Sequence, residues 1–131
     1  MRPDKDSYYL EIAKAVAGRS TCLRRQYGAV IVNNDEIVST GYNGSPRGEE
    51  NCCDTGKCNR IGHEHNDGDY ADCRSVHAEM NSLLSAARNE MLGGTLYLAG
   101  FENGQVITAE PCPICARMIK NAGIKRVVGT K

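Results

Sequence analysis

Residues 77–79, His-Ala-Glu, and residues 111–115, Pro-Cys-Pro-Ile-Cys, constrain this chain more than any other feature. Each opens a segment with helical spacing. "VHAEMNSLLSAARN" places Met80, Leu83, Leu84 and Ala87 on one face at a 3.6-residue period. "PCPICARMIKNAG" carries Pro113 near its first turn and Gly123 as a C-terminal stop. Between them "GGTLYLAG" reads as a strand behind a Gly-Gly break. Helix N-termini present unpaired N–H groups and a partial positive charge, which lower thiolate pKa values and favour anionic ligands.

The remaining elements follow from periodicity. "KDSYYLEIAKAVAG" has Tyr9, Ile12, Ala13 and Val16 at helical spacing, with Asp6 or Ser7 as N-cap and Gly18 as stop. Ala29–Val32 is a short apolar run, Asn33–Asp35 supply a turn, and Ile37–Thr40 return, which predicts a hairpin. "IKRVVGTK" is a last strand. The order α-β-β-α-β-α-β predicts an α/β fold, helices packed on a central mixed sheet, in one domain over residues 1–131.

Composition excludes several classes. Sixteen Lys and Arg balance sixteen Asp and Glu, unlike a protein built to grip long nucleic acid. No apolar run approaches the roughly twenty residues of a membrane span, and the N-terminus shows neither an apolar h-region nor a cleavage site. A reducing compartment is therefore expected, and there clustered cysteines read as metal ligands before disulfides. The chain has seven. Four of them, with two of the three histidines, fall in residues 42–74, a stretch almost without periodicity. So long a connection is uncommon unless it is functional or tied down.

Two cysteines at the spacing of Cys112 and Cys115 chelate a metal, run thiol redox chemistry or sit idle. The thioredoxin-like βαβ context for redox work is missing. His77, Cys112 and Cys115 together make three soft protein ligands, which leave one tetrahedral position of zinc open for water, the catalytic rather than the structural arrangement. Glu79, two residues from a ligand, is placed to shuttle a proton beside that water, whose pKa zinc lowers to about 7. H-x-E followed by P-C-x-x-C is the established signature of the zinc deaminases.

On "STCLRRQYGAVIV", "VSTGYNGSPRG", "NCCD", "HAEMNSLLSAARN", "TLYL" and "PCPICARMIKNAGIKRVV", the chain resembles the deoxycytidylate (dCMP) deaminases of the cytidine deaminase superfamily, in their bacterial and phage branch. The resemblance implies a three-layer α-β-α sandwich and cytoplasmic hydrolysis of dCMP to dUMP and ammonia, in the host cytoplasm if a phage encodes the chain. A zinc-bound hydroxide would attack C4 of cytosine, and Glu79 would carry the proton to N3 and then to the leaving amine. It further implies that Ala78 offers its backbone N–H to the pyrimidine O2 and that Asn43 binds the deoxyribose. Arg24 and Arg25 are candidates for the 5′-phosphate, because arginine suits bidentate phosphate recognition. Cytidine deaminases carry a cysteine where His77 stands, which disfavours the free nucleoside.

Some phage relatives hold a second, structural zinc. Cys22 and Cys52 match their cysteine positions, and His65 and Cys73 are candidates to complete the set, with His63, Cys53 and Cys58 as rivals. Relatives are commonly hexamers, activated by dCTP (with Mg2+) and inhibited by dTTP, with Gly41, Tyr42, Gly44 and Ser45 of GYNGSP lining the effector site. Two departures stand out. "YLAGFENGQVITAEPC" is longer than the usual link, its ENG reading as an inserted hairpin tip. The sequence also stops after "KRVVGTK", where relatives add a helix and a strand. The alternative readings are a tRNA adenosine deaminase, which shares HAE and PCxxC, and a non-catalytic zinc module, which would have no use for Glu79.

Overall fold

The computed structural model describes residues 1–56, 58, 73 and 75–131. Helix α1 spans Lys5–Ala17, and strands β1 and β2 span Gln26–Asn33 and Glu36–Tyr42. Short α2 (Cys52–Thr55) precedes α3 (Ala78–Leu84) and α4 (Arg88–Met91). Then come β3 (Thr95–Glu102), β4 (Gln105–Ile107), α5 (Pro113–Asn121) and β5 (Arg126–Gly129).

β1 lies at the centre, antiparallel to β2 on one side and to β3 on the other. The far edge of β3 is shared: β5 pairs parallel with Thr95–Leu98, and β4 pairs antiparallel with Gly100–Glu102. The sheet is mixed, as expected. Strand alternation then sorts the core into two layers. Val30, Val32, Tyr97 and Ala99 face α1, where Tyr9 and Ala13 meet them. Ala29, Ile31, Leu96 and Leu98 face the opposite side, against Ala78 of α3 and Ile119 of α5. Helices thus cover both faces, giving the α-β-α sandwich. No helix among the described residues is long and apolar enough to cross a membrane.

Both hairpin turns use residues that accept positive φ: Asn34 (51°) and Asp35 (60°) join β1 to β2, and Asn103 (52°) and Gly104 (75°) join β3 to β4. The ENG segment is therefore a hairpin tip, as expected. Two expectations need correction. The N-cap of α1 is Asp4, whose side chain accepts from the Ser7 N–H, and the helix starts one residue before Asp6. The expected apolar face of α3 holds only in part: Leu83 packs against the core, but the face does not extend through Leu84 and Ala87. Leu84 is 77% exposed, while Ala78, Glu79 and Ser82 are buried. The helix ends at Leu84, and Ser85–Ala87 turn the chain into α4, so the 3.6-residue period does not continue to Ala87.

Asp6 does a different job from capping. It accepts from Tyr97 Oη at 2.7 Å and pairs with Arg126, tying α1 to β3 and β5. Those hydrogen bonds hold its carboxyl below the usual range. A carboxyl with a depressed folded-state pKa contributes stability that is present above its unfolded value and lost as pH falls through the folded one. Asp6→Asn is expected to lower the thermal midpoint at pH 7, with the gap to wild type narrowing as pH falls below the ordinary carboxylate range, as read by calorimetry from neutral to acid pH.

Candidate active site

His77 is the N-cap of α3 and Cys112 the N-cap of α5, so both sit in extended backbone immediately before a helix. Placing these two starts side by side is the work of the β4–α5 link. Ala109 N–H donates to Thr130 O, Thr130 N–H donates to Leu98 O, and Thr130 Oγ1 donates to Ile107 O. Residue 130, just past β5, therefore anchors the approach to Cys112. Gly129 passes directly beneath Ala109, leaving no room for a side chain there.

His77, Cys112 and Cys115 converge, with their ligand atoms all within 4.8 Å of one another, and they are the one such group of metal donors among the described residues. His77 Nδ1 is the nitrogen turned to the sulfurs, 3.6 Å from Cys112 Sγ and 3.3 Å from Cys115 Sγ. Cys115 N–H donates to Cys112 Sγ at 3.4 Å, the helix start placing a donor on the sulfur. Burial lowers the His77 pKa and so keeps the imidazole neutral, as a ligand must be. Burial, with the charges of Glu79 and Cys112, drives the Cys115 thiol far up. A pocket that crowds two thiols and a carboxylate out of water favours a divalent cation, which reverses that penalty. The donor set fits zinc, closing three tetrahedral positions and leaving the fourth open.

Glu79 is 4% exposed and reaches the Cys115 thiol from within the same pocket. Burial raises its pKa, while its own backbone N–H and Cys115 pull the other way. Ala78, fully buried, is the first residue of α3, where helical geometry gives the N–H no intrahelical acceptor.

Gly41 sets the height of α3 over the sheet. A Cβ there would lie 2.4 Å from Ser82 N and 2.6 Å from Ala78 O, both backbone atoms of α3. Gly41 is thus buried in the support of the site. Gly41→Ala is expected to cost about 3 kcal/mol by forcing α3 outward, and to lower turnover as Glu79 moves with it. Urea unfolding and steady-state rates on the one preparation check both effects.

Asn43 is 6% exposed and largely engaged in structure. Its Oδ1 accepts from Ser20 Oγ (2.6 Å) and Tyr27 N–H (2.8 Å), and its Nδ2 donates to Arg25 O (2.9 Å). An amide nitrogen has two hydrogens, so this leaves Nδ2 one further donor position for a ligand. Arg25 Nε pairs with Glu102 Oε2 at 2.6 Å, and its Nη1 donates to Tyr27 Oη at 3.4 Å. Burial pushes the Tyr27 phenol up, the Glu79 charge adding to it and Arg25 drawing it back. Tyr27 and Glu102 were invisible as site residues in the sequence, because only the β1–β3 register brings them here.

Gly44 bridges to Val76, joining the start of the long connection to its end, and Tyr42 is exposed. Ser45 Oγ is buried with no hydrogen-bond partner among the described residues. Cys22 is mostly buried, which raises its pKa. The N–H groups of Arg24 and Arg25 oppose that rise, while Cys58 and Cys52 are close enough to add to it. Cys53 N–H donates to Thr21 O, holding α2 beside Cys22. Cys73 is half-buried, and His65 and His63 lie outside the described residues. None of the seven cysteines forms a disulfide.

A buried carboxylate beside three zinc donors at two facing helix starts defines a zinc-binding class of site with one open coordination position. The family model described as "Cytidine and deoxycytidylate deaminase zinc-binding region" matches residues 3–131, and the chain belongs to that family. It is 41% identical to the deoxycytidylate deaminase of Mycobacterium phage D29, the match covering 99% of this chain and 97% of the relative. It is 39% identical to that of Schizosaccharomyces pombe over 97% of this chain, and spans 37% of the yeast protein's length. The fold superimposes on a crystal structure of the dCMP deaminase of cyanophage S-TIM5 in complex with dCMP and dUMP, with a TM-score of 0.70, 32% identity, and coverage of 98% of this chain and 82% of that one.

Proposed function

We propose that this chain hydrolyses dCMP to dUMP and ammonia as a single deaminase domain over residues 1–131. The observation that carries the reading is Glu79, a buried carboxylate facing a three-donor cluster in a family that includes a dCMP-bound and dUMP-bound structure. His77, Cys112 and Cys115 would hold zinc, which when bound would supply an activated water at neutral pH. Glu79, its pKa raised by burial, would take one water proton to N3, which keeps it in the uracil product, and carry the second, from the hydroxyl then on C4, to the amine that leaves as ammonia. The Ala78 N–H holds the pyrimidine O2, and the spare Nδ2 hydrogen of Asn43 reaches the deoxyribose. Arg24 or Arg25 binds the 5′-phosphate.

A tRNA adenosine deaminase is the weaker reading, since relatives 41% and 39% identical to this chain are named for deoxycytidylate. The chain works in the cytoplasm as a homo-oligomer, a hexamer by analogy, with dCTP (carried with Mg2+) and dTTP as effectors at Gly41, Tyr42, Gly44 and Ser45. The burial of Gly41 and its packing on α3 leave only its backbone for that role. Cys22 and Cys52 anchor a second, structural zinc, with Cys58 beside them and Cys73 and His65 as further candidates.

The experiment is turnover of dCMP by protein of measured zinc content. Matched yields of ammonia and dUMP, lost on chelation and restored by zinc, are expected. Turnover indifferent to a strong chelator would overturn the assignment of His77, Cys112 and Cys115.

A further inference from the structure

The β1–β3 ladder runs through Tyr27↔Gly100 and Gln26↔Phe101. Continued one step, it sets Arg25 opposite Glu102, where the two are ion-paired. Tyr27, Gly100 and Glu102 share the parity of Ala29, Leu96 and Leu98, whose side chains face α3 and α5. The pair therefore stands on the catalytic face of the sheet, at the root of the inserted β3–β4 hairpin. The Tyr27 ring lies across Gly100, where a Cβ would come within 2.8 Å of it. Asn43 grips the same segment from behind, through Arg25 O and Tyr27 N–H.

We propose that Glu102 is the positioning residue that makes Arg25 the reader of the substrate's 5′-phosphate, with Tyr27 closing the clasp. This rests on the reading of the chain as a nucleoside monophosphate deaminase. A guanidinium has five N–H donors in a rigid fork. The Glu102 carboxylate lies 2.6 Å from Nε as an ion pair, without taking its hydrogen in a hydrogen bond, and Tyr27 takes one hydrogen of Nη1, which orients the guanidinium and leaves its Nη2 end to donate. A long arginine held in this way has already lost rotamer freedom, so less ordering cost falls on phosphate binding. The end of β3 thus supplies both the acid that aims the arginine and, two residues before it, the glycine that makes space for the tyrosine.

The test is a double-mutant cycle in the zinc enzyme, read as KM and kcat for dCMP. Arg25→Ala is expected to raise KM by about a hundredfold, the loss of charge-assisted phosphate bonds. Glu102→Ala is expected to raise KM about tenfold with kcat nearly unchanged, and Glu102→Asp to recover part of it. The double variant should be no worse than Arg25→Ala, because Glu102 acts only through Arg25. If Arg25→Ala leaves KM unchanged, the phosphate role of Arg25 fails and the proposal with it. If Arg25→Ala raises KM but Glu102→Ala does not, or lowers it, the proposal alone fails. Multiplying effects in the double variant, or equal falls in kcat, would also overturn it.

Discussion

Glu79→Gln is expected to keep its zinc and bind dCMP, yet lose about a thousandfold in kcat, the scale of a removed general acid–base group. Gln preserves the shape of the side chain and removes only the titratable proton. The fold should tolerate the change well. Glu79 is buried, and burial disfavours its charged form, so a neutral amide removes a desolvation cost and leaves α3 in place. Metal analysis, thermal midpoint and kcat on one preparation are the readouts. A variant within tenfold of wild type would remove Glu79 from the chemistry and leave a zinc centre without a proton carrier.

Cys115→Ser is expected to fail differently. The side chain is fully buried at the first turn of α5, where its sulfur faces both His77 Nδ1 and Cys112 Sγ. Serine is a poor zinc ligand at neutral pH and would leave a hydroxyl in an apolar turn. Zinc content at the catalytic centre should fall below detection and activity with it, by at least the thousandfold of Glu79→Gln. Wild-type protein should melt higher as zinc is added, because a ligand that binds only the folded state stabilises it by mass action. The variant should lose that portion of the response. A fully metallated, active Cys115→Ser protein would show that the ion sits elsewhere.

The contrast between the two variants separates proton transfer from metal retention. The same four residues are also the ones most legible in the amino-acid sequence. His77, Glu79, Cys112 and Cys115 fall within two short motifs, each fixed by the start of one helix, so local spacing carries their geometry. The two hairpins are legible for a similar reason, since Asn-Asp and Asn-Gly accept the backbone that a tight turn demands. Periodicity misleads at α3. There Glu79 and Ser82 are buried for the site and for a hydrogen bond from Ser39 Oγ to Ser82 O, while Leu84 points into solvent. A hydrophobic pattern cannot show that a helix buries a carboxylate.

The contacts around Arg25 are harder still to read. Its basic character is plain, but its partner Glu102 lies 77 residues on, at the end of β3, and only the strand register brings them together. Asn43 is expected from its motif to reach for substrate, and the structure spends most of its hydrogen-bonding capacity on fastening residues 20–27. For the second metal, proximity to Cys22 brings in Cys58, a rival on sequence grounds, alongside Cys52. Spacing alone has no means of ranking thiols in a stretch without periodicity.

The measurement that tests the central claim most directly is ammonia release from purified zinc protein offered dCMP, deoxycytidine, CMP and a tRNA anticodon stem-loop in parallel, with dCTP and magnesium present. Deamination of dCMP, with dUMP as product and the other three at least a hundredfold slower in kcat/KM, is the predicted result. Activity on the stem-loop with none on dCMP would contradict it.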